Sequence, residues 1–372
     1  MTTATLERPV SPTGRRRTTR LYAIDGLRLI CALAVAGFHF GDSWRLDGVH
    51  RPAYHLPDAA PILIYGFLGV ETFFLISGFV ILMSGWGRTV REFAASRAAR
   101  LYPAFWACVL LTTVVTAVLP ISGGLPFPRA AEGGDVLVNL TMLAEPLNTP
   151  LVDTVYWTLW YEMRFYLVVA VLIAGGLTDR RVKLFGAGWL LAAIAMPAFP
   201  GAWLDDVVMP RFAPYFIAGM TMFLLRRNPR DRSLWVLLAG CWLVSLHLVH
   251  LRVVDLKPGF PVAVWPAPVL ITIVYATLTA IALGATDRLR LRLLGTAGAL
   301  TYPFYLLHQR VGYSLIRWCQ AVTGWDAAPL VAGAVVLLLV VAGLVHHLVE
   351  RRLAPVLENL VAGRAAPDME AV

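Results

Sequence analysis

Ten runs of mostly apolar residues, each near the length of a bilayer crossing, leave this chain little choice of architecture. They lie near 22–41, 62–84, 101–120, 156–177, 184–201, 211–225, 233–250, 266–285, 293–318 and 328–349. Only 15% of the 372 residues are charged, against about 25% in a soluble domain. Lipid offers the backbone no hydrogen-bond partner, so each run is expected to satisfy its own amides as a helix. The expected fold is therefore all-α, a polytopic integral membrane helix bundle with about ten transmembrane helices. The run at 211–225 is short and carries Pro and Gly, which predicts a tilted or broken helix. Val136–Ala144 is too short to cross and is expected to dip into the outer interface.

Charge sets the orientation. With the N-terminus inside, 22 of the 32 Lys and Arg residues fall in inner segments, six in outer ones and four in or near the membrane. Both termini are thus expected in the cytoplasm. The net charge of +9 reads as topology, with no nucleic-acid partner implied. Residues 1–20 read as a disordered cytoplasmic tail, 21–350 as the membrane domain and 351–372 as a second tail. Asp25 and Arg28 interrupt what would be the apolar core of a cleavable signal. The four cysteines form no C-x-x-C pair and read as small core residues. There is no Walker A loop, no strand-to-helix G-x-G-x-x-G and no H-E-x-x-H, so no bound cofactor and no metal are expected.

Several ionisable residues interrupt the apolar runs, and such residues usually face a bundle interior or a wet cavity. Arg28 and His39 are eleven positions apart, which returns to within about 20° of one helical face, roughly 16 Å further along. Asp25 lies on the same stretch. Snorkelling of Arg28 and end-capping by His39 would be the structural alternative. Glu162 and Tyr166 are one turn apart and share a face. A carboxylate there needs a partner, either Arg164 or a histidine from another helix, and an interfacial Glu–Arg pair is the alternative. Tyr161 lies in the same aromatic stretch. Ser77 and Gly78 permit close helix packing. Arg97 and Arg100, three apart, suit phosphates, although topogenic charge would also explain them. His308 is expected at mid-membrane depth beyond a kink at Pro303. His247, His250, His346 and His347 read as interfacial. The outer segments 42–61, with Asp42, Asp47, His50, His55 and Asp58, and 121–155, with Glu132, Asp135, Glu145 and Asp153, are long enough for lids or acceptor sites.

Five blocks of these residues, in order, resemble the membrane acyltransferase-3 family. They run from Asp25 to His39, Gly69 to Phe79, Arg97 to Pro103, Trp157 to Tyr166 and Thr301 to His308. Thr301 stands where the family usually has Ser, and Pro303 interrupts the last block. The resemblance implies an O-acyltransferase that takes an acyl group from cytoplasmic acyl-CoA as co-substrate. It passes that group to a hydroxyl of a glycan, a glycolipid or a sugar-bearing secondary metabolite such as a macrolide. On that reading Arg28, Arg97 and Arg100 bind the CoA phosphates. His39 is the general base, and Glu162 orients it and steadies its imidazolium. Asp25, Ser77, Tyr161, Tyr166 and His308 bind substrate or support the site. An acyl-histidine intermediate is the alternative to direct transfer. The rival reading is a transporter or flippase using Arg28, His39 and Glu162 as a proton relay. The implied location is a bacterial plasma membrane, crossed many times. The preponderance of Arg over Lys, with many Ala, Val, Leu and Gly, suggests a GC-rich actinobacterial source.

Overall fold

The computed structural model describes residues 20–364 apart from 122, 126–130, 197–201, 257 and 259. The first tail therefore lies almost wholly outside the described residues. No strand occurs among them. The main helices are α1 (Tyr22–Asp42), α2 (Leu68–Gly85), α3 (Val90–Val118), α4 (Trp157–Ala174), α5 (Asp179–Ala195) and α6 (Ala213–Arg227). They continue with α7 (Arg232–Asp255), α8 (Pro266–Ala282), α9 (Arg292–Leu307), α10 (Arg310–Thr323), α11 (Ala327–Val345) and α12 (Arg351–Ala362). Helix occupies most of the described part of every apolar run. Among the described residues, seven stretches are long and apolar enough to cross a membrane, while α5, α8 and α9, at 17, 17 and 16 residues, are shorter.

Local sequence explains the ends. Thr89 and Glu92 form a reciprocal capping box at the start of α3, so that helix begins well before the apolar run at 101–120. Asp231 caps α7 through the Ser233 N–H at 2.9 Å. Two expectations need correction. The run at 293–318 is two helices, and the break falls at His308–Gln309 while Pro303 sits inside an unbroken turn. The run at 211–225 is not broken: α6 runs continuously, and every residue from Ala213 to Leu225 is buried. The segment read as a second tail begins with α12, tied to α3 by an Arg91–Val361 carbonyl bond at 3.2 Å.

α6 is the centre of the bundle, and its closest neighbour is α2. A Cβ on Gly78 would fall 2.2 Å from the Phe216 carbonyl oxygen, and one on Gly219 would fall 2.0 Å from that of Leu75. The two backbones touch, as small residues in membrane helices allow. Glu71, at the head of α2 and 2% exposed, is paired with Arg252 of α7. On the other side α1 packs on α9, where Gly298 leaves the room that Asp25 fills. The short stretch Gly134–Asn139 and the turn after it lie against α3. Tyr102 Oη donates to the Thr141 carbonyl at 3.1 Å and Trp106 Nε1 to that of Leu140 at 3.0 Å.

Candidate active site

Arg28 stands where two cavities meet. The first is a cup of about 520 Å³ with Arg20, Arg28, Arg100, Arg292, His346 and His347 in its wall. Asp25 also lines it and holds Arg20 at 2.6 Å. Arg100 is tied to Glu350, whose other oxygen lies 2.9 Å from His346 Nδ1. Four guanidiniums around one wet cavity make a site for a polyanion. The second cavity is a slot of about 60 Å³. Phe73, Phe74, Val70, Leu159 and Tyr305 give it largely apolar walls, and Arg28, Ser77 and Glu162 are among its polar groups, with Thr158, Thr301 and Tyr302.

Helical phase decides which expected residues reach these cavities. Arg28 and Glu162 come from α1 and α4 to line the same slot, with Ser77 from α2 beside them. Glu162 Oε1 accepts the Tyr166 hydroxyl at 2.6 Å. Arg164, offered as its partner, instead reaches Asp206 at 2.9 Å and lies 4.0 Å over the Tyr161 ring. Tyr161 is thereby drawn against Arg164 and is not in the slot wall. Arg97 parts company with Arg100. Its guanidinium lies 6.0 Å over the rings of Phe93 and Tyr166 and donates to Ser96 Oγ at 3.1 Å, outside the cup wall. His346 and His347, read as interfacial, line the cup.

His39 occupies a different setting, further along α1. Among the described residues its ring is hydrogen-bonded to Gln309, not to Glu162, with 3.0 Å between Gln309 Nε2 and His39 Nδ1. The other end of that amide receives the Thr154 hydroxyl. Tyr313 Oη donates to the His39 carbonyl at 3.3 Å. Asp153, at the head of α4, accepts the N–H groups of Val155 at 3.1 Å and Arg310 at 2.9 Å, so it pins both segments that carry this network. Burial pushes its carboxyl up to about 6. Gln309 is the residue that sequence reasoning missed: a neutral amide beside His308 carries no signal until the break in the helix turns it toward α1.

His308 is fully buried, and its Nδ1 lies 2.8 Å from the Tyr305 carbonyl. Donation there leaves the lone pair on Nε2, which is buried without a hydrogen-bond partner among the described residues. Its ring centroid is 5.2 Å from that of His39 and 5.4 Å from that of Tyr305. A file of rings therefore runs from the slot through Tyr305 and His308 to His39. Chemically, the arrangement offers anion binding at one end, an apolar pocket in the middle and two imidazoles beyond it.

Known bacterial proteins resemble this chain over most of its length. Over 389 residues the chain is 28% identical to "Acyltransferase MdmB" of Streptomyces mycarofaciens, covering 95% of this chain and 96% of that protein. It is 28% identical over 258 residues to "Exopolysaccharide production protein ExoZ" of Rhizobium meliloti (strain 1021), covering 65% of this chain and 75% of that one. No solved structure matches. Residues 21–347 match the family described as an acyltransferase domain, and with nearly the whole helix bundle inside that match the chain belongs to the acyltransferase-3 family of membrane acyltransferases.

Proposed function

We propose that this membrane acyltransferase takes a short acyl group from acyl-CoA and transfers it to a sugar hydroxyl, with His39 as general base. The observation that carries the reading is the junction at Arg28, where a cup rich in arginine opens onto an apolar slot. CoA phosphates suit the cup and an acyl chain suits the slot. The slot's small volume favours acetyl over longer chains. The basic inner segments support ten crossings of a bacterial plasma membrane with the cup on the cytoplasmic side.

In the proposed step the acceptor hydroxyl gives its proton to His39 as its oxygen bonds to the thioester carbonyl carbon. The C–S bond then breaks, and the thiolate leaves as CoA-SH with the proton that His39 carries. That role needs a lone pair on Nε2 and a proton on Nδ1. Gln309 supplies this tautomer when its amide is turned over, since the O and N ends occupy the same shape. Nε2–H then donates to Thr154 Oγ1, and Oε1 takes the His39 Nδ1 proton. Gln309 thus does the orienting first ascribed to Glu162. Glu162 remains in the slot beside Arg28, positioned by Tyr166 to meet the donor or acceptor. A sugar acceptor is favoured by the relative named for exopolysaccharide production, and acyl transfer by the relative named as an acyltransferase. The test is thiol release from acetyl-, propionyl- and isovaleryl-CoA by purified protein with candidate acceptors. Release that His39→Ala abolishes supports the reading. Wild-type turnover by His39→Ala would sink it.

A further inference from the structure

The loop that follows α1 brings together three side chains that the acyltransfer reading does not use. We propose that Asp47, His50 and His55 bind one zinc ion. One ligand atom from each lies within 4.8 Å of the others. Asp47 Oδ2 is 2.7 Å from His50 Nδ1 and 3.4 Å from His55 Nε2. Ligands of a tetrahedral zinc with bonds near 2.0–2.1 Å stand about 3.3 Å apart, so small rotations of these side chains enclose the ion.

A local turn accounts for only part of this arrangement. Asp47 Oδ1 accepts the N–H groups of Val49 at 2.8 Å and His50 at 2.6 Å, which fixes the carboxylate and leaves Oδ2 aimed at the imidazoles. A hydrogen bond to Oδ2 would satisfy His50. It does not satisfy His55, whose Nε2 is sealed from solvent and, among the described residues, has no hydrogen-bond partner, only a 3.4 Å contact with the same Oδ2. Buried polar atoms seldom go unpaired, and a metal ion at this point would pair it. The histidines are also held from behind: His50 stacks on Tyr54 at 4.4 Å, and the same Tyr54 meets His55 edge-on at 5.2 Å. Arg51, between them in sequence, is drawn off to Asp42 at 3.3 Å. Two imidazoles and one carboxylate suit zinc and disfavour magnesium or calcium. Three protein ligands leave a fourth position for water. The ion would clasp residues 47–55 into one unit beside the outer end of α1. This inference stands apart from the acyltransfer reading.

The test uses the full chain in detergent, purified without a histidine tag, stripped with EDTA and titrated with zinc alone by calorimetry. One saturable equivalent is expected. His50→Ala, His55→Ala and Asp47→Asn should each weaken binding by at least about tenfold, and exposed His247 gives the control His247→Ala, which should leave it unchanged. Absence of a saturable site, or one that survives all three substitutions, overturns the proposal. Cobalt(II) gives a reading that needs no variant. Intense visible bands of a tetrahedral ion in the wild-type protein support the site, and the weak bands of a hydrated octahedral ion overturn it.

Discussion

The two ends of the functional face of α1 are built on opposite plans. At Arg28 the surroundings are roomy and charged, with four arginines around one cavity and ion pairs holding two of them to Asp25 and Glu350. At His39 they are closed and neutral, with the Gln309 amide and the hydroxyls of Thr154 and Tyr313 meeting from two other segments within hydrogen-bond reach. Holding a polyanion is a matter of summed charge and tolerates imprecise geometry. Moving a proton depends on one lone pair pointing one way. Substitutions at the two ends should therefore fail in different kinetic terms.

The largest effect is expected at the closed end. His39→Ala should lower kcat by about 10³-fold or more, with the KM for acyl-CoA and the melting temperature in detergent little changed. Gln309→Met should lower kcat by roughly 10²-fold, the cost of a misplaced reacting group. Gln309→Glu, which can accept the Nδ1 proton, should recover most of that loss. Equal activity in the two Gln309 variants would break the contrast, because orientation would then not matter. Arg28→Ala and Arg100→Ala should act on KM for acyl-CoA, each by about tenfold. The penalty should shrink when wild type and variant are compared at high salt. Smallest is Arg97→Ala: a guanidinium held over ring faces outside the cup is worth a weak cation–π contact, so KM should shift by about threefold at most. A loss as large as that of Arg100→Ala would place Arg97 on the donor after all.

Much of this was legible in the sequence because its determinants are local. Hydropathy placed the helices, since each run needs only its own backbone to satisfy itself. The eleven-residue spacing placed Arg28 and His39 on one face. Glu162 reached the slot because a carboxylate in an apolar run has to face a cavity. What escaped depended on partners far apart in the chain. Arg97 and Arg100 are three residues apart and so differ by about 60° around the helix, enough to send one to Tyr166 and the other into the cup. Nothing local distinguishes them. The break at His308–Gln309 is invisible in an apolar count, and with it goes the amide that holds His39. Asp47, His50 and His55 are near neighbours in the chain, but their spacing matches no metal motif, so the zinc site proposed above has no signature in the sequence. The expectation of no metal rested on motifs alone.

The backbone contact between Gly78 and Gly219 also constrains how the protein comes into being. The two glycines are 141 residues apart in the chain, so the seam cannot close until α6 has been synthesised and inserted. Until then α2 lacks the partner its small residues are shaped for, and Glu71 lacks Arg252. Biogenesis, more than the finished enzyme, is where a bulkier residue at either glycine would take its toll: the nascent chain would reach the membrane and fail to knit its two halves together.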